Sequence, residues 1–282
     1  QQGNSIIDLT GTYPILVRRG TIGIDVLKAI FPNMKDKENV YKVDTEKRWG
    51  TIIQKKPRLE GKVALITGAA RGRGAAIAKA FAKESAVAIV TDLSASGGTV
   101  VEELNAAGKT SRFCILDVTE PAEWDKVVNS VLNEFGRIDI LVNNAGYFGM
   151  PSSVEPDIKS WELSWNINAG GAYIGASVVV PHMENGGSVV NISSIFGQVG
   201  TELAGVAYQT SKGALLSLTR ALAVKWAHKR IRVNAICPGL IPTPMTEQLF
   251  NDQDIKSEIL KRIPLRREVS PEDIAHAALF LA

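Results

Sequence analysis

A tyrosine and a lysine stand four residues apart, at Tyr208 and Lys212. On a helix, positions i and i+4 share a face, so the phenol and the ammonium group would lie about one turn apart. A nearby cation stabilises phenolate, and we expect Lys212 to lower the pKa of Tyr208 from about 10 toward the range of a general acid or base. Alone, such a pair is more often an amphipathic surface feature. It gains weight because a β-branched run upstream ends in two hydroxyls, of which Ser194 can hold a substrate oxygen.

A glycine-rich loop is the second pattern that indicates chemistry. It reads Thr-Gly-Ala-Ala-Arg-Gly-Arg-Gly, with glycines at Gly68, Gly72 and Gly74, and it stands between a strand pattern and a helix pattern. Glycines let the backbone turn tightly and approach a pyrophosphate, whose charge then faces the helix N-terminus. Glycine also simply ends strands, but the strand–loop–helix context favours a nucleotide site.

An aspartate and two arginines bear on the choice of nucleotide. Asp92 ends the next strand pattern, eighteen residues after Gly74. A carboxylate there accepts hydrogen bonds from ribose hydroxyls and repels a 2′-phosphate, which favours NAD over NADP. Arg71 and Arg73 in the glycine loop are the opposing signal, because an arginine there can bind a 2′-phosphate. A turn-opening aspartate is the plain alternative for Asp92.

From residue 61 onward, short β-branched runs alternate with longer helical patterns. Such repeated strand–helix–strand units predict an α/β fold with a doubly wound parallel sheet, three layers deep, and a ligand crevice at the carboxyl ends of the strands. Residues 1–60 lie outside this rhythm and are predicted to form a basic extension or tether. The predicted strands are 63–67, 87–91, 112–116, 138–143, 188–193 and 231–236, and the clearest helices are 75–84, 121–135 and 207–228.

Composition excludes several classes of protein. Hydrophobic residues make up 45% and charged residues 22%, as in folded globular chains, and no apolar run approaches the ~20 residues that cross a bilayer. Of the charged residues, 11 Lys/Arg and 7 Asp/Glu lie in the first 60, so the main body has no basic excess for nucleic acid. Cys114 and Cys237 are interpreted as small buried hydrophobes of a reducing compartment. The three histidines lack metal-ligand spacing, and no metal is expected.

From Gly61 onward the sequence resembles the short-chain dehydrogenase/reductases, in their single-domain form. The Asn-Asn-Ala-Gly turn that starts at Asn143 is similar to a family motif, and the order of the motifs follows the family. Two departures stand out, since Arg73 replaces an aliphatic residue and Ser85 replaces a glycine. The resemblance implies that the cofactor is bound by Gly68, Arg71, Gly72, Arg73, Gly74, Asp92, Asp117, Val118, Asn144, Ala145, Gly146, Tyr208, Lys212, Pro238, Gly239 and Thr243.

The resemblance also implies the reaction, a hydride transfer between NAD and a secondary alcohol or ketone. Asn168, Ser194, Tyr208 and Lys212 match the four catalytic positions, with Tyr208 as general acid/base and Asn168 holding a water that connects Lys212 to solvent. Two alternatives stay open. One is an NADPH-dependent reductase of 3-oxoacyl or keto substrates, and the other is a catalytically silent nucleotide-binding scaffold.

The sequence also carries expectations about the substrate, the assembly and the location. Ser194 and Tyr208 would contact the substrate, and a lid is expected over about 242–264. Helical patterns at 157–182 and 207–228 resemble those that join subunits in this family, so a homotetramer, or else a dimer, is expected in the cytoplasm, with no membrane partner. Apolar residues that follow strand ends would line the substrate pocket, namely Tyr147, Phe148, Met150, Ile195, Phe196 and Val199.

Overall fold

The structure, a computed structural model, describes residues 57–149, 157–241, 251 and 253–282, together with the backbone of three short strands nearer the N-terminus. The chain divides into two compact units, residues 1–56 and 57–282. In the first unit, β1 (Ile6–Asp8) pairs antiparallel with β2 (Ile15–Arg18), which pairs parallel with β3 (Lys35–Asp36).

The second unit is built on a six-stranded parallel sheet, in the order β6-β5-β4-β7-β8-β9. The order reverses beside β4, so the first βα turn and the turn after β7 open into one crevice. The predicted α/β doubly wound sheet is therefore confirmed. Its strands are β4 (Val63–Thr67), β5 (Val87–Asp92), β6 (Ser111–Ile115), β7 (Ile140–Asn143), β8 (Gly187–Ile192) and β9 (Ile231–Ile236).

Helices cover both faces of this sheet, and two apolar clusters separate them from the strands. Phe81 anchors one cluster and Trp124 anchors the other, and both side chains are fully buried. The helices of the second unit are α1 (Gly72–Lys83), α2 (Gly97–Ala106), α3 (Pro121–Phe135), α4 (Ile158–Ser164), α5 (Gly171–Val179), α6 (Val206–Trp226), α7 (Gln253–Arg262) and α8 (Pro271–Leu281).

Strand β7 begins two residues later than predicted, because Asp139 acts as a polar anchor there. Its carboxylate accepts a hydrogen bond from the Val63 backbone N–H at 3.0 Å and pairs with Lys62 and Arg137. These bonds hold the pKa of Asp139 below its usual value despite the cost of burial. The anchor fixes the amino-terminal end of the central strands, opposite the crevice.

The two cysteines are less buried than predicted. Cys114 and Cys237 are both only partly buried. The reason is their position at the margins of the sheet, since Cys114 lies in the edge strand β6 and Cys237 directly follows the other edge strand, β9. The expectation of two small core hydrophobes is therefore wrong.

Ser85 carries the backbone conformation that a glycine would adopt more easily. It follows α1 with a φ of 65°, in the left-handed region. A Cβ in that region costs roughly 1–2 kcal/mol. Glycine avoids this strain, but it also raises the conformational entropy of the unfolded chain, which offsets part of the gain in stability. We expect Ser85→Gly to raise the free energy of unfolding by about 0.5–1 kcal/mol in urea titrations. Ser85→Ala keeps the Cβ and is the matched control, and equal effects of the two substitutions would refute this explanation.

Candidate active site

Three sequence-predicted residues meet at the carboxyl ends of β8 and β9. Ser194, Tyr208 and Lys212 are all buried, and the hydroxyl of Ser194 hydrogen-bonds the Tyr208 phenol. Lys212 Nζ donates to the Ile192 carbonyl oxygen at 2.9 Å and lies 5.8 Å from the centre of the Tyr208 ring. The phenol, a hydroxyl and an amine thus share one enclosed space, as the i, i+4 spacing on α6 predicts.

The pKa of Tyr208 differs from the expectation in direction. Burial raises it above its ordinary value of 10, while the hydrogen bond with Ser194 and the positive charge of Arg73 act to lower it. The predicted lowering by Lys212 is not what the structure shows, because Lys212 is itself driven toward its neutral form. The cations that favour phenolate here therefore include Arg73, a residue of the glycine loop.

The pKa of Lys212 is also strongly shifted. Complete burial, and then the charge of Arg73, lower its pKa from 10.5 to about 7. Between pH 7 and the ordinary lysine range, the unfolded chain binds a proton that the folded chain has lost. Stability therefore increases as the pH rises through this window.

We expect the free energy of unfolding to increase with pH between pH 7 and 9. The increase should be steeper for the parent chain than for Lys212→Met. Urea titrations at several pH values measure it. Lys225→Met removes an exposed lysine from the same helix and should keep the parent slope. Equal slopes for the parent and Lys212→Met would contradict the assignment.

Asn168 lies in a π-helical turn, Trp165–Gly170, between α4 and α5. Such turns are frequent at functional sites. The Asn168 amide donates to the Tyr147 carbonyl at 3.0 Å and to Ser211 Oγ at 2.9 Å, and its oxygen accepts from the Tyr147 N–H at 2.8 Å. Both amide protons are thus used. Only one lone pair on Asn168 Oδ1 is left to hold the expected water toward Lys212. The main role that these bonds give to Asn168 is to position the Tyr147 backbone.

The glycine loop has the close packing that a dinucleotide cradle needs. A Cβ on Gly74 would lie 2.6 Å from Asn144 Nδ2 and 2.7 Å from the Ala69 Cα, and Gly68 has a φ of 62°. Asn144 Nδ2 donates to the carbonyls of Thr67 and Gly68 at 2.9 Å, while its buried Oδ1 has no partner in the described part of the chain. The residues present therefore fit a nucleotide whose phosphates lie on the N-terminus of α1.

A cavity of about 510 Å³ extends from this loop over the ends of the neighbouring strands. Gly146 in its wall adjoins the candidate catalytic group, because a Cβ on Gly146 would lie 3.0 Å from Asn168 Oδ1 and 3.5 Å from Lys212 Nζ. The sequence did not single out Leu93, Leu116, Thr119, Leu163, Asn166 and Ile167, which also line it. The predicted cofactor residues in its wall are Gly68, Arg71, Gly72, Arg73, Asp92, Asp117, Val118, Asn144, Ala145 and Gly146.

Asp92 and Asp117 lie in this wall, and each is partly held by the backbone. The Asp92 carboxylate accepts hydrogen bonds from the Ala70 N–H at 3.0 Å and the Ser94 N–H at 2.9 Å. Asp117 accepts from the backbone and the hydroxyl of Thr119. These bonds fix the carboxylate of Asp92 at the end of β5 and leave it acceptor capacity.

The two arginines of the glycine loop differ in their exposure to solvent. Arg71 is exposed at the start of α1. Arg73 is partly buried, and its charge acts on both Tyr208 and Lys212. That both arginines could serve a 2′-phosphate stays a prediction, since Arg71 and Arg73 both line the cavity that Asp92 also lines.

Tyr208 also belongs to a small apolar cluster. Phe196 is buried beside Tyr208, and the Phe148 ring meets the Tyr208 ring edge to face at 4.9 Å between centroids. Ile259, on α7 from the expected lid region, belongs to the same cluster. Val199, by contrast, is 58% exposed and does not belong to this cluster.

Two strand-end loops are tied together next to this cluster. The Ile195 N–H donates to the Pro238 carbonyl at 3.0 Å, which holds the Pro238–Gly239 turn beside Ser194. Cys237, which the sequence did not connect with the site, lies in the same turn and feels the charge of Lys212. Met150, Thr243 and residues 242–250 of the expected lid lie outside the described residues.

Two findings concern other classes of site. Within the described ranges, no group of three or more His, Cys, Asp or Glu residues is placed to hold a metal ion. No helix in that part of the chain is long and apolar enough to cross a membrane.

The doubly wound sheet and the glycine loop at its switch point define a dinucleotide-binding α/β protein. A family sequence model described as enoyl-(acyl carrier protein) reductase matches residues 68–282. With that match and the relatives below, the chain belongs to the short-chain dehydrogenase/reductase family of oxidoreductases, which bind nicotinamide cofactors.

Three known proteins illustrate the likeness. The chain is 40% identical over 229 residues to the 3-oxoacyl-[acyl-carrier-protein] reductase FabG of Thermotoga maritima, covering 80% of this chain and 92% of that protein. It is 36% identical over 227 residues to a cyclopentanol dehydrogenase of Comamonas sp., covering 79% and 90%. A putative NAD(P)-dependent gluconate 5-dehydrogenase of Beutenbergia cavernae, solved with bound NADP at low occupancy, is 31% identical with a TM-score of 0.75 over 80% and 91%.

Proposed function

We propose that the chain is an NAD-dependent oxidoreductase that interconverts a secondary alcohol and a ketone. The observation that carries the proposal is the buried group of Ser194, Tyr208 and Lys212, whose Lys212 amine borders Gly146 in the wall of the nucleotide cavity. When bound there, the nicotinamide supplies the hydride chemistry. The protein supplies position, a proton acceptor and exclusion of water.

Each residue of the group has its own role in the oxidation of the alcohol. Tyr208 takes the hydroxyl proton of the alcohol in its phenolate form and becomes the neutral phenol, and Ser194, hydrogen-bonded to the Tyr208 oxygen, orients the substrate oxygen. Lys212 would hydrogen-bond the ribose of the nicotinamide through its amine, which donates a hydrogen bond to the Ile192 carbonyl. Asn168 fixes the Tyr147 segment that closes this end of the cavity.

The preference for NAD follows from Asp92. Its carboxylate is fixed at the end of β5 in the cavity wall, where it can accept bonds from ribose hydroxyls and repels a 2′-phosphate. Of the two arginines that favour NADP, Arg73 also acts with its charge on Tyr208, and Arg71 is exposed at the start of α1.

A titration of NADH and NADPH, each followed by nicotinamide fluorescence, tests this preference. We expect the parent chain to bind NADH at least tenfold more tightly, about 1.4 kcal/mol. Asp92→Ala should remove most of that ratio, and Asp92→Asn keeps hydrogen-bonding capacity while it removes the charge. An unchanged ratio in both variants would show that Asp92 does not select the cofactor.

A second candidate is an NADPH-dependent reductase of 3-oxoacyl or keto substrates. The reductase FabG among the relatives and the solved structure that holds NADP favour it. Preference for NADPH in the same titration would decide for it and would assign the phosphate to Arg71. A catalytically silent scaffold is a weaker candidate, because it leaves the buried Tyr208–Lys212 pair unexplained.

The apolar cluster around Tyr208 favours a substrate of modest size and low polarity. Phe148, Phe196 and Ile259 present carbon surface there, and Tyr147 lies in the adjoining segment. We propose a largely apolar secondary alcohol or ketone, which a turnover panel of alcohols graded in polarity tests. Turnover confined to charged polyols would refute it.

We also propose a homotetramer, with a dimer as the alternative, in the cytoplasm. Large apolar side chains stand exposed on α4, on the π-helical turn and on α5, among them Trp161 and Trp165, which stack with their ring centres 6.4 Å apart. Tyr173 on α5 is 51% exposed. Exposed apolar patches of this kind mark protein interfaces. Sedimentation velocity measures the assembly, and a monomer at micromolar concentration would refute it.

A further inference from the structure

Arg73 is a cation at a position where the family resemblance implies an aliphatic side chain. It is the second residue of α1 and lines the nucleotide cavity together with Gly68 and Gly146. Gly146 in turn borders Lys212 Nζ and Asn168 Oδ1. Arg73 therefore lines the same cavity as Gly68 of the phosphate cradle and Gly146, which borders the reacting end of the site.

This cation has no carboxylate partner among the residues that the structure describes. Within the described part of the chain, Arg73 forms no hydrogen bond and no ion pair. The carboxylates in the same cavity wall, Asp92 and Asp117, are bonded to loop groups at the ends of β5 and β6. Although burial lowers its pKa, a guanidinium stays protonated at neutral pH.

The field of Arg73 reaches the groups that do the chemistry. Its charge acts on Tyr208 and on Lys212, which are the residues of the proposed proton transfer. Within the described residues, the other titratable group that acts on Lys212 is the Cys237 thiol, whose pKa burial raises. A nicotinamide that reacts at a carbon whose oxygen is bonded to Tyr208 must lie beside Tyr208, and it therefore lies in the field of Arg73.

The two redox states of the cofactor differ in that field. The diphosphate carries the same charge in NAD and NADH, but the oxidised nicotinamide ring is positive and the reduced ring is neutral. A nearby cation repels only the oxidised ring, and the repulsion is strong where water is excluded.

We infer that Arg73 discriminates between the redox states of the nicotinamide and makes the chain hold the reduced form more tightly, relative to the oxidised form, than an aliphatic residue would. This inference rests on the proposed function, because it needs a nicotinamide bound beside Tyr208. It adds a residue that selects on ring charge, separate from Asp92, which selects at the ribose.

The test compares the affinities of NAD, NADH and ADP-ribose, which lacks the ring, by calorimetry and fluorescence. We expect Arg73→Met to strengthen NAD relative to NADH about tenfold, about 1.4 kcal/mol. The substitution should change the affinity for ADP-ribose by the same factor as the affinity for NADH, because neither molecule carries the positive ring. Arg73→Lys keeps the charge and should keep the parent ratio.

Arg71→Met is the matched control, since it removes an exposed arginine from the same loop. It should change the affinities for NAD and NADH by the same factor. Arg73→Gln is measured in parallel, so that the charge is also removed by a polar side chain should the methionine variant fail to fold.

Separate outcomes overturn the inference and the proposed function. If the neutral variants bind NAD and NADH in the parent ratio, the inference is wrong and the proposed function stands. Equal weakening of all three probes would likewise overturn the inference, since Arg73 would then act as a phosphate ligand only. If the parent chain binds neither NAD nor NADH, both the proposed function and the inference fall.

Discussion

Replacing Tyr208 with phenylalanine is expected to lower kcat by at least a hundredfold, and up to ten-thousandfold, while the affinity for NADH changes little. The substitution removes one oxygen, the proposed proton acceptor, from a ring that is 5% exposed and packed against Phe148 and Phe196. General acid–base catalysis contributes rate factors of about 10² to 10⁴. The ring packing is retained, so the fold and the cavity should survive.

Initial rates on the most active alcohol, together with NADH titrations, measure both parts of this expectation. Tyr173→Phe is the matched control, because it removes a hydroxyl from a tyrosine that is 51% exposed on α5. Near-normal turnover by Tyr208→Phe would show that another group transfers the proton. A loss of NADH binding in parallel with the rate would assign Tyr208 to cofactor binding instead.

Adding a single methyl group at Gly74 should have the second large effect. In Gly74→Ala the new Cβ would lie 2.7 Å from the Ala69 Cα and 2.6 Å from Asn144 Nδ2, which is itself bonded to the carbonyls of Thr67 and Gly68. Backbone cannot move aside cheaply, and overpacking costs typically 1–3 kcal/mol. We expect a loss of stability of about 3 kcal/mol, and at least a tenfold loss of NADH affinity in any folded fraction.

Gly98→Ala provides the matched comparison, because a Cβ there would meet no atom within 4 Å. Gly98 lies in the first turn of α2, where alanine is the better helix former by up to about 1 kcal/mol. Thermal and urea unfolding measure both variants. If Gly74→Ala is as stable as the parent chain, the close packing of the loop is not what requires a glycine.

Where the structure brings candidate residues together as the sequence predicts, the prediction depends on short spacing within one element. Tyr208 and Lys212 share a face of α6 because a helix brings i and i+4 together, and the glycine loop follows β4 directly. The strand pattern predicts the doubly wound sheet, and parallel strands place their carboxyl ends at one edge. Local patterns of this kind carry their own geometry.

The corrected predictions depend on contacts between elements that are distant in the chain. The pKa of Tyr208 follows from burial and from Arg73, 135 positions away in the sequence, more than from its helical neighbour. Asn168 is bonded to the Tyr147 backbone through a π-helical turn that no periodicity indicates. The exposure of Cys114 follows from the strand order, which places β6 at the edge of the sheet.

The most direct test of the account is hydride transfer itself. Secondary alcohols that carry deuterium on the carbinol carbon are incubated with the chain and NAD, and mass spectrometry of the reduced cofactor follows the label. The account predicts deuterium in NADH with the parent chain and at least a hundredfold less with Tyr208→Phe. If the chain binds NADH yet no alcohol of the panel transfers its label, the central claim that this site performs alcohol–ketone hydride chemistry is contradicted.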